Sequence, residues 1–360
     1  MNRHAAPGSL PEVIERLSAE NLLYVCDDAV DPLADVGAVT RAEQAKGARA
    51  RAVLFTRIAG YPGWRLLTNG CATTRHVAAV LGLPAAATQS ELRAHLAAAA
   101  ADSVAPEETD AGGAAADVID PPDLTALPVP RWHPLDGGRF VGTWHLNITR
   151  HPENGSVNAG VYRMQIIDAA RATVSVSRYS HLRRHLELAR SRGTALPMAV
   201  AIGVPECMVI AGAAALPYGT SEFGFAGALL RAPVRLERCR TVDCVSPAAA
   251  QIVIEGTIVP GREACDGPFV DFAGLPSVNP HACVFEVSCI RHAASPVFRG
   301  SSVGRLGAED LEIFAHLAEC GLVGHGPQLI RRMQQELLRR RAFRVLQWLG
   351  RVARLSRLGR

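Results

Sequence analysis

Between residues 141 and 290 the chain is written largely as short apolar runs of strand length: 141–149 (VGTWHLNIT), 172–179 (ATVSVSRY), 198–203, 207–211, 234–238, 251–258 and 282–290. Few helical runs interrupt them, chiefly at 181–192 and 222–231. A strand shows its backbone donors and acceptors sideways, so a chain with this many strands must pair them with one another. The pattern predicts a sheet-dominated central domain with inserted helices, closed as an antiparallel barrel.

The flanks read differently. Ser9 and Glu12 form an S-x-x-E capping box ahead of Val13, Ile14 and Leu17, the signature of a helix start. Strands are expected at 52–58 and 64–69 around the turn Gly60-Tyr61-Pro62-Gly63, followed by helices at 73–81, closed by Gly82, and 89–99, capped by Thr88 and Glu91. Residues 100–120 are small and acidic and read as an exposed linker, and the prolines of LPVPRWHPLDGGRF keep the next segment extended. After residue 305 the pattern is helical, with an amphipathic run from Ala308 to Cys320 that stops at Gly321. The expected divisions are 1–120, an N-terminal α/β domain and linker; 121–305, the central domain; and 306–360, a short helical basic tail.

Composition excludes more than it selects. With 48% hydrophobic and 20% charged residues, the 360-residue chain has the make-up of an ordinary globular protein of two domains. A net charge of +4 is too small to imply a nucleic-acid partner. The nine cysteines contain no C-x-x-C pair and read as small apolar thiols in a reducing compartment. The N-terminus has no apolar signal core, and no uncharged apolar run approaches the roughly 20 residues that span a bilayer. A cytoplasmic location is expected.

Three central segments, read in order, carry a resemblance. NAGVYRMQ, Asn158 to Gln165, is similar to an N-x-G-x-x-R-x-Q signature. In PYGTSEFGFAGAL, Ser221-Glu222 and Gly227-Ala228-Leu229 match an acidic turn and the helix after it. IEGTIVP followed by DGPFVDFAG is similar to E-G-x-x-x-P and E-G-P-F-G-E-x-x-G. With AVLFTRIAGYPGWRLLTNG matching at the N-terminal side, residues 20–305 resemble the UbiD family of prenylated-FMN-dependent decarboxylases. That resemblance implies an α+β fold: an N-terminal α/β domain packed on a flavin-reductase-like split β-barrel, followed here by a short helical tail. It implies removal of CO2 from an α,β-unsaturated or aromatic acid. Losing CO2 from an sp2 carbon leaves an electron pair that no side chain accepts well, so such chemistry needs a cofactor sink.

By resemblance, Arg163, Asp266 and Asp271 form the catalytic set. Asn158, Val161, Arg163, Gln165, His181, Pro217 and Glu222 bind the cofactor. Asn158, His181 and Glu222 hold a divalent metal, Mn2+ or Mg2+, with His185 as the alternative to His181, and K+ is a further ion the family allows. Gly267-Pro268 forbids a helix, so a turn there can bring both aspartates toward one pocket. The implied partners are the acid substrate, a flavin prenyltransferase that supplies the cofactor, and a second copy or companion subunit. Asp266 and Asp271 stand where the family has glutamates, and Val270 where it has glycine. Relatives continue well past GSSVGRLGAEDLEIF with a domain that caps the cofactor; here the expectation is that the tail replaces it. The rival expectation is an impaired, truncated paralogue that binds flavin or a partner without turnover. A plain FMN-dependent reductase is a second. The tail, RRRAFRVLQWLGRVARLSRLGR, reads as a docked amphipathic helix, an acidic-partner or membrane-surface binder, or an RNA binder.

Overall fold

In the computed structural model of the chain, residues 5–110, 112–304 and 307–323 are described. Helix Leu10–Ala19 starts where the S-x-x-E spacing puts it. Ser9 Oγ accepts the Glu12 N–H, and the Glu12 carboxylate takes the N–H of Gly8. Thr88 and Glu91 close a reciprocal capping box on helix Gln89–Ala101. Both devices satisfy amide donors that a helix start otherwise leaves unpaired. Leu10, Val13, Leu17, Leu92 and Leu96 share one apolar core with Leu54 and Leu67 of the adjoining sheet.

That sheet has four strands in the order Leu23–Val30, Ala52–Ile58, Arg65–Thr68, Val297–Arg299. The last follows the central strand Pro276–His292 in the chain and pairs parallel with Arg65–Thr68. The N-terminal sheet is therefore finished by residues close to position 300.

The central sheet runs Arg171–Val174, Pro276–His292, Ile252–Val270, Leu196–Ile202, His145–Arg150, Val157–Gly160, with Asp117–Ile119 also paired to Pro276–His292. All its pairings are antiparallel, as expected. The closed barrel is not observed: Arg171–Val174 and Val157–Gly160 end the path without pairing. The chain leaves the sheet after Gly160, and Met164–Gln165 pairs with Phe140–Gly142 instead. Past Gly160 the chain meets Arg171–Val174 and the residue after it through the bridge Ile166–Ala172 and the bonds of the Ile167 N–H to the Arg171 carbonyl and the Ser175 N–H to the Arg163 carbonyl.

Three local expectations change. Residues 207–211 form part of helix Glu206–Ala213, not a strand. The run CMVIA is buried throughout, so it carries no polar stripe and its period is undefined; Pro205 at the cap starts a helix. The segment 100–120 is not a free linker. Glu107–Thr109 pairs with Arg235–Arg238, the Gly113 N–H reaches Glu237, and the Ala115 carbonyl accepts from buried Arg291. Gly267-Pro268 makes a bend inside strand Ile252–Val270, where Gly267 has φ +111° and an added Cβ would meet the Ser277 carbonyl at 2.6 Å. The hairpin turn itself lies at 271–275, closed by the Asp271 N–H on the Leu275 carbonyl at 3.2 Å.

Helix Glu309–Glu319 confirms the amphipathic run after residue 305. The arginine-rich tail, with its three readings, lies outside the described residues. All nine cysteines are free thiols. Among the described residues no helix is long and apolar enough to cross a membrane.

One fully buried guanidinium joins these parts. Arg299, on the strand that completes the N-terminal sheet, bonds Glu206 at 2.7 Å and Glu309 at 2.9 and 2.5 Å. Burial opposes its charge, but the two carboxylates outweigh burial and raise its pKa. Arg299→Met leaves both acids without a cation and is expected to cost about 3–5 kcal/mol. Urea unfolding checks this; a loss below about 1 kcal/mol would mean that the cluster contributes little.

Candidate active site

The signature N-x-G-x-x-R-x-Q spreads four jobs over eight residues. Asn158 lies in strand Val157–Gly160, opposite Thr149. Gly160 makes room for Tyr162: a Cβ there would meet the tyrosine ring at 2.7 Å. Arg163 follows as the strand leaves the sheet. Gln165 accepts the Gly267 N–H at 2.6 Å, so it holds the bend that carries Asp266 rather than facing the cavity.

Val161, Tyr162 and Arg163 line a cavity of about 560 Å3, with Asp271, Phe269 and Trp144 on other parts of its wall. Arg163 is fixed from behind. Its Nε and Nη2 bond Asp266 Oδ1 at 2.6 and 2.5 Å, and its Nη1 donates to Ser277 Oγ at 2.6 Å. The guanidinium carbon stands 5.2 Å from the centre of the Phe269 ring. Asp266 is fully buried, and its other oxygen accepts from Thr173 Oγ1 at 2.7 Å. Both oxygens of that carboxylate are thus engaged by neighbouring side chains. Asp271, in the hairpin turn, uses Oδ1 to accept the Ala273 N–H at 2.9 Å and lines the cavity.

A second cluster adjoins the first through Tyr162. His181 and Glu222 are the first residues of helices His181–Ser191 and Glu222–Leu230, capped by Ser180 and Ser221. Their side chains approach to 3.5 Å, His181 Nδ1 to Glu222 Oε1, while Glu222 Oε2 accepts the Ala159 N–H. Asn158 is buried and its Nδ2 has no partner among the described residues. Burial raises the Tyr162 pKa, and the charge of Glu222 adds to the rise. An amide, an imidazole and a carboxylate suit a divalent cation of the Mg2+ or Mn2+ type. Donors 3.5 Å apart can share one ion about 2.1 Å from each. The residues present fit that ion.

His185 is directed elsewhere. Its Nδ1 is 2.9 Å from Thr149 Oγ1 and its ring meets His151 edge-on. Pro217 lies in an exposed loop, where Tyr218 packs against His181 at 5.1 Å. Thr173, Ser277 and Tyr162 were missed in the sequence. The first two make contact only through pairing across the sheet, and Tyr162 is a variable position of its motif whose one clue is the glycine two residues before it.

The chain is similar to known proteins in sequence and fold. A family model described as the Rift-related domain of 3-octaprenyl-4-hydroxybenzoate carboxy-lyase matches residues 108–306, and its N-terminal-domain counterpart matches 14–96. The chain belongs to the UbiD family. Pyrrole-2-carboxylic acid decarboxylase of Pseudomonas aeruginosa is 30% identical over 82% of this chain and 62% of its own length. The closed form of vanillic acid decarboxylase from Sedimentibacter hydroxybenzoicus superposes with a TM-score of 0.83, at 26% identity over 87% of this chain and 67% of that one. An evolved dimeric form of the UbiD-class enzyme HmfF from Pelotomaculum thermopropionicum, in complex with prFMN, gives 0.79 at 29% identity over 87% and 71%. The chain spans 36–63% of the length of the curated relatives it matches.

Two imidazoles beside the site contribute to its acid sensitivity. Burial pushes His145 down to about 4, and burial followed by the charges of His151 and His181 does the same for His185. Both groups titrate near 6.5 when unfolded, so between these values the unfolded chain binds more protons. Stability present above about pH 6.5 is therefore lost as pH falls toward 4. The urea midpoint is expected to be lower at pH 5 than at pH 7.5, and to fall less in His185→Gln. An unchanged midpoint would show that these rings are charged in the fold.

Proposed function

We propose that this protein is a non-oxidative decarboxylase of an α,β-unsaturated or aromatic carboxylic acid. The observation that carries the reading is the placing of Arg163 and Asp271 on one cavity, with Asp266 locked behind the arginine. The net change is RCO2− plus H+ to RH plus CO2, so the site must orient an anion, receive an electron pair and return a proton. Prenylated FMN, when bound, supplies the electron sink.

The chain's own residues do the rest. Arg163 presents a planar fork to the substrate carboxylate, and Asp266 keeps that fork from turning. Asp271, with one oxygen tied to its turn, offers the other as the group that delivers a proton to the carbon vacated by CO2. Phe269, Phe272, Val209 and Ile210 make a largely apolar wall that excludes water and strengthens the charge interactions. Asn158, His181 and Glu222 would hold Mn2+ or Mg2+, with K+ as a further ion, and the metal would neutralise the charge of the cofactor phosphate. The open sheet is read as a flavin-reductase-like split barrel. The dimeric relative and the exposed Phe272, Leu275 and Val278 around the hairpin turn favour a second copy or companion subunit. A flavin prenyltransferase would provide the cofactor in the cytoplasm, in a secondary-metabolite setting.

The test is co-expression with a flavin prenyltransferase, then CO2 release from a panel of aromatic and unsaturated acids. Asp271→Asn is expected to lower kcat at least about 100-fold while the absorption spectrum of the bound cofactor stays unchanged. Glu222→Ala is expected to lower Mn2+ content. Full turnover by Asp271→Asn would overturn the assignment. Bound cofactor without turnover in the unaltered protein would favour the flavin-binding paralogue.

A further inference from the structure

Strands Arg235–Arg238 and Val245–Pro247 pair antiparallel, with Arg238 opposite Val245. The ladder goes one step further. The Cys239 N–H donates to the Cys244 carbonyl at 3.0 Å, which sets two cysteines opposite each other across the short loop 240–243. Residues opposed in this way have Cα atoms about 5.5 Å apart, inside the span of about 4.4–6.8 Å that a disulfide bridges. Both thiols are free, and they interact with each other. Their mutual hydrogen bond raises the Cys239 pKa and lowers that of Cys244. Cys239 is half-buried between exposed Arg238 and Arg240, whereas Cys244 is buried and its Sγ donates to the Ile148 carbonyl at 3.2 Å. One sulfur is open to a solute, and the second stands behind it. The loop they bracket has a structural task. The N–H groups of Arg240 and Thr241 and the Thr241 hydroxyl all bond Glu255 Oε2, at 2.7, 2.7 and 2.9 Å. Glu255 is fully buried in strand Ile252–Val270, and its other oxygen accepts from buried Arg291 at 3.1 Å. A buried carboxylate oxygen that lost these donors would be costly, so the loop must stay where it is.

We propose that Cys239 and Cys244 form an oxidative modification site, where hydrogen peroxide or a small disulfide converts the two thiols into a disulfide that clamps the loop onto Glu255. Peroxide transfers one oxygen to Cys239 Sγ, giving a sulfenic acid and water. Cys244 Sγ then attacks Cys239 Sγ; the S–S bond forms as the S–O bond breaks, and hydroxide leaves with the Cys244 proton as water. The sum is two thiols and one peroxide to one disulfide and two waters, the sulfurs giving up two electrons and the peroxide taking them. With glutathione disulfide, two successive exchanges give the same bond and two glutathione thiols. The decarboxylase reading is not needed for this site, because neither cysteine lines the cavity.

The test treats the native full chain with hydrogen peroxide or glutathione disulfide, alkylates the remaining thiols after unfolding, and digests with trypsin. Cleavage after Arg238, Arg240 and Arg262 releases the dipeptide Cys239-Arg240 and the peptide 241–262, each with a single cysteine. After oxidation the two are expected as one species, lighter than their sum by two hydrogens and separated again by dithiothreitol. Amide hydrogen exchange across the loop is expected to slow in the same sample and to recover on reduction. Cys239→Ser is expected to abolish both effects; should that variant not fold, the reversal by dithiothreitol in the unaltered protein decides. Both cysteines found alkylated while exposed Cys265 is oxidised would overturn the proposal, because the oxidant then acted and the pair did not close. A glutathione adduct that persists on Cys239 would do the same. A cross-link that leaves loop exchange unchanged would overturn the clamp.

Discussion

Arg299 stands at the junction of three structures. Its backbone finishes the N-terminal sheet; its guanidinium grips Glu206, which opens a helix on the cavity wall, and Glu309, which opens helix Glu309–Glu319. Nothing in this cluster touches solvent. In so dry a setting a cation cannot be left unmatched, so the three elements must sit together or not fold. Trp144 extends the cluster, donating from Nε1 to Glu206 at 2.6 Å while its ring lines the cavity. The shape of the cavity is thus set by an ion cluster that itself does no chemistry.

Arg163 uses the same physics for another end. Two of its contacts go to one oxygen of Asp266 and a third to Ser277, so strand Ile252–Val270 and its partner Pro276–His292 hold it from both sides. Asp266 also accepts from Thr173, so the pair is held through both carboxyl oxygens before any ligand arrives. A preset fork loses little freedom on meeting a planar carboxylate, and that is how positioning lowers a barrier. Asp271 differs: it sits at a turn, half-tied by Ala273, and keeps one oxygen for exchange.

Much of this was readable in the residues because local chemistry and final position agree. The capping pairs Ser9–Glu12 and Thr88–Glu91 act over three residues and formed as written. Asp266 and Arg163 were recognisable because the motifs around them, although far apart in sequence, are each short and contiguous. What escaped depended on contacts between distant segments. Helix Glu206–Ala213 is buried all round, so its apolar run carried no period. Glu107–Thr109 and Asp117–Ile119 are three residues long, and their pairing partners lie far along the chain.

The central claim is that the cavity beside Arg163 and Asp271 receives a flavin-derived electron acceptor. Native mass spectrometry of the protein purified after co-expression with a flavin prenyltransferase tests it most directly. The account predicts an added mass of one prenylated FMN and one divalent ion per chain, lost together in Glu222→Ala. A spectrum showing the bare chain mass, with colourless protein, would contradict it.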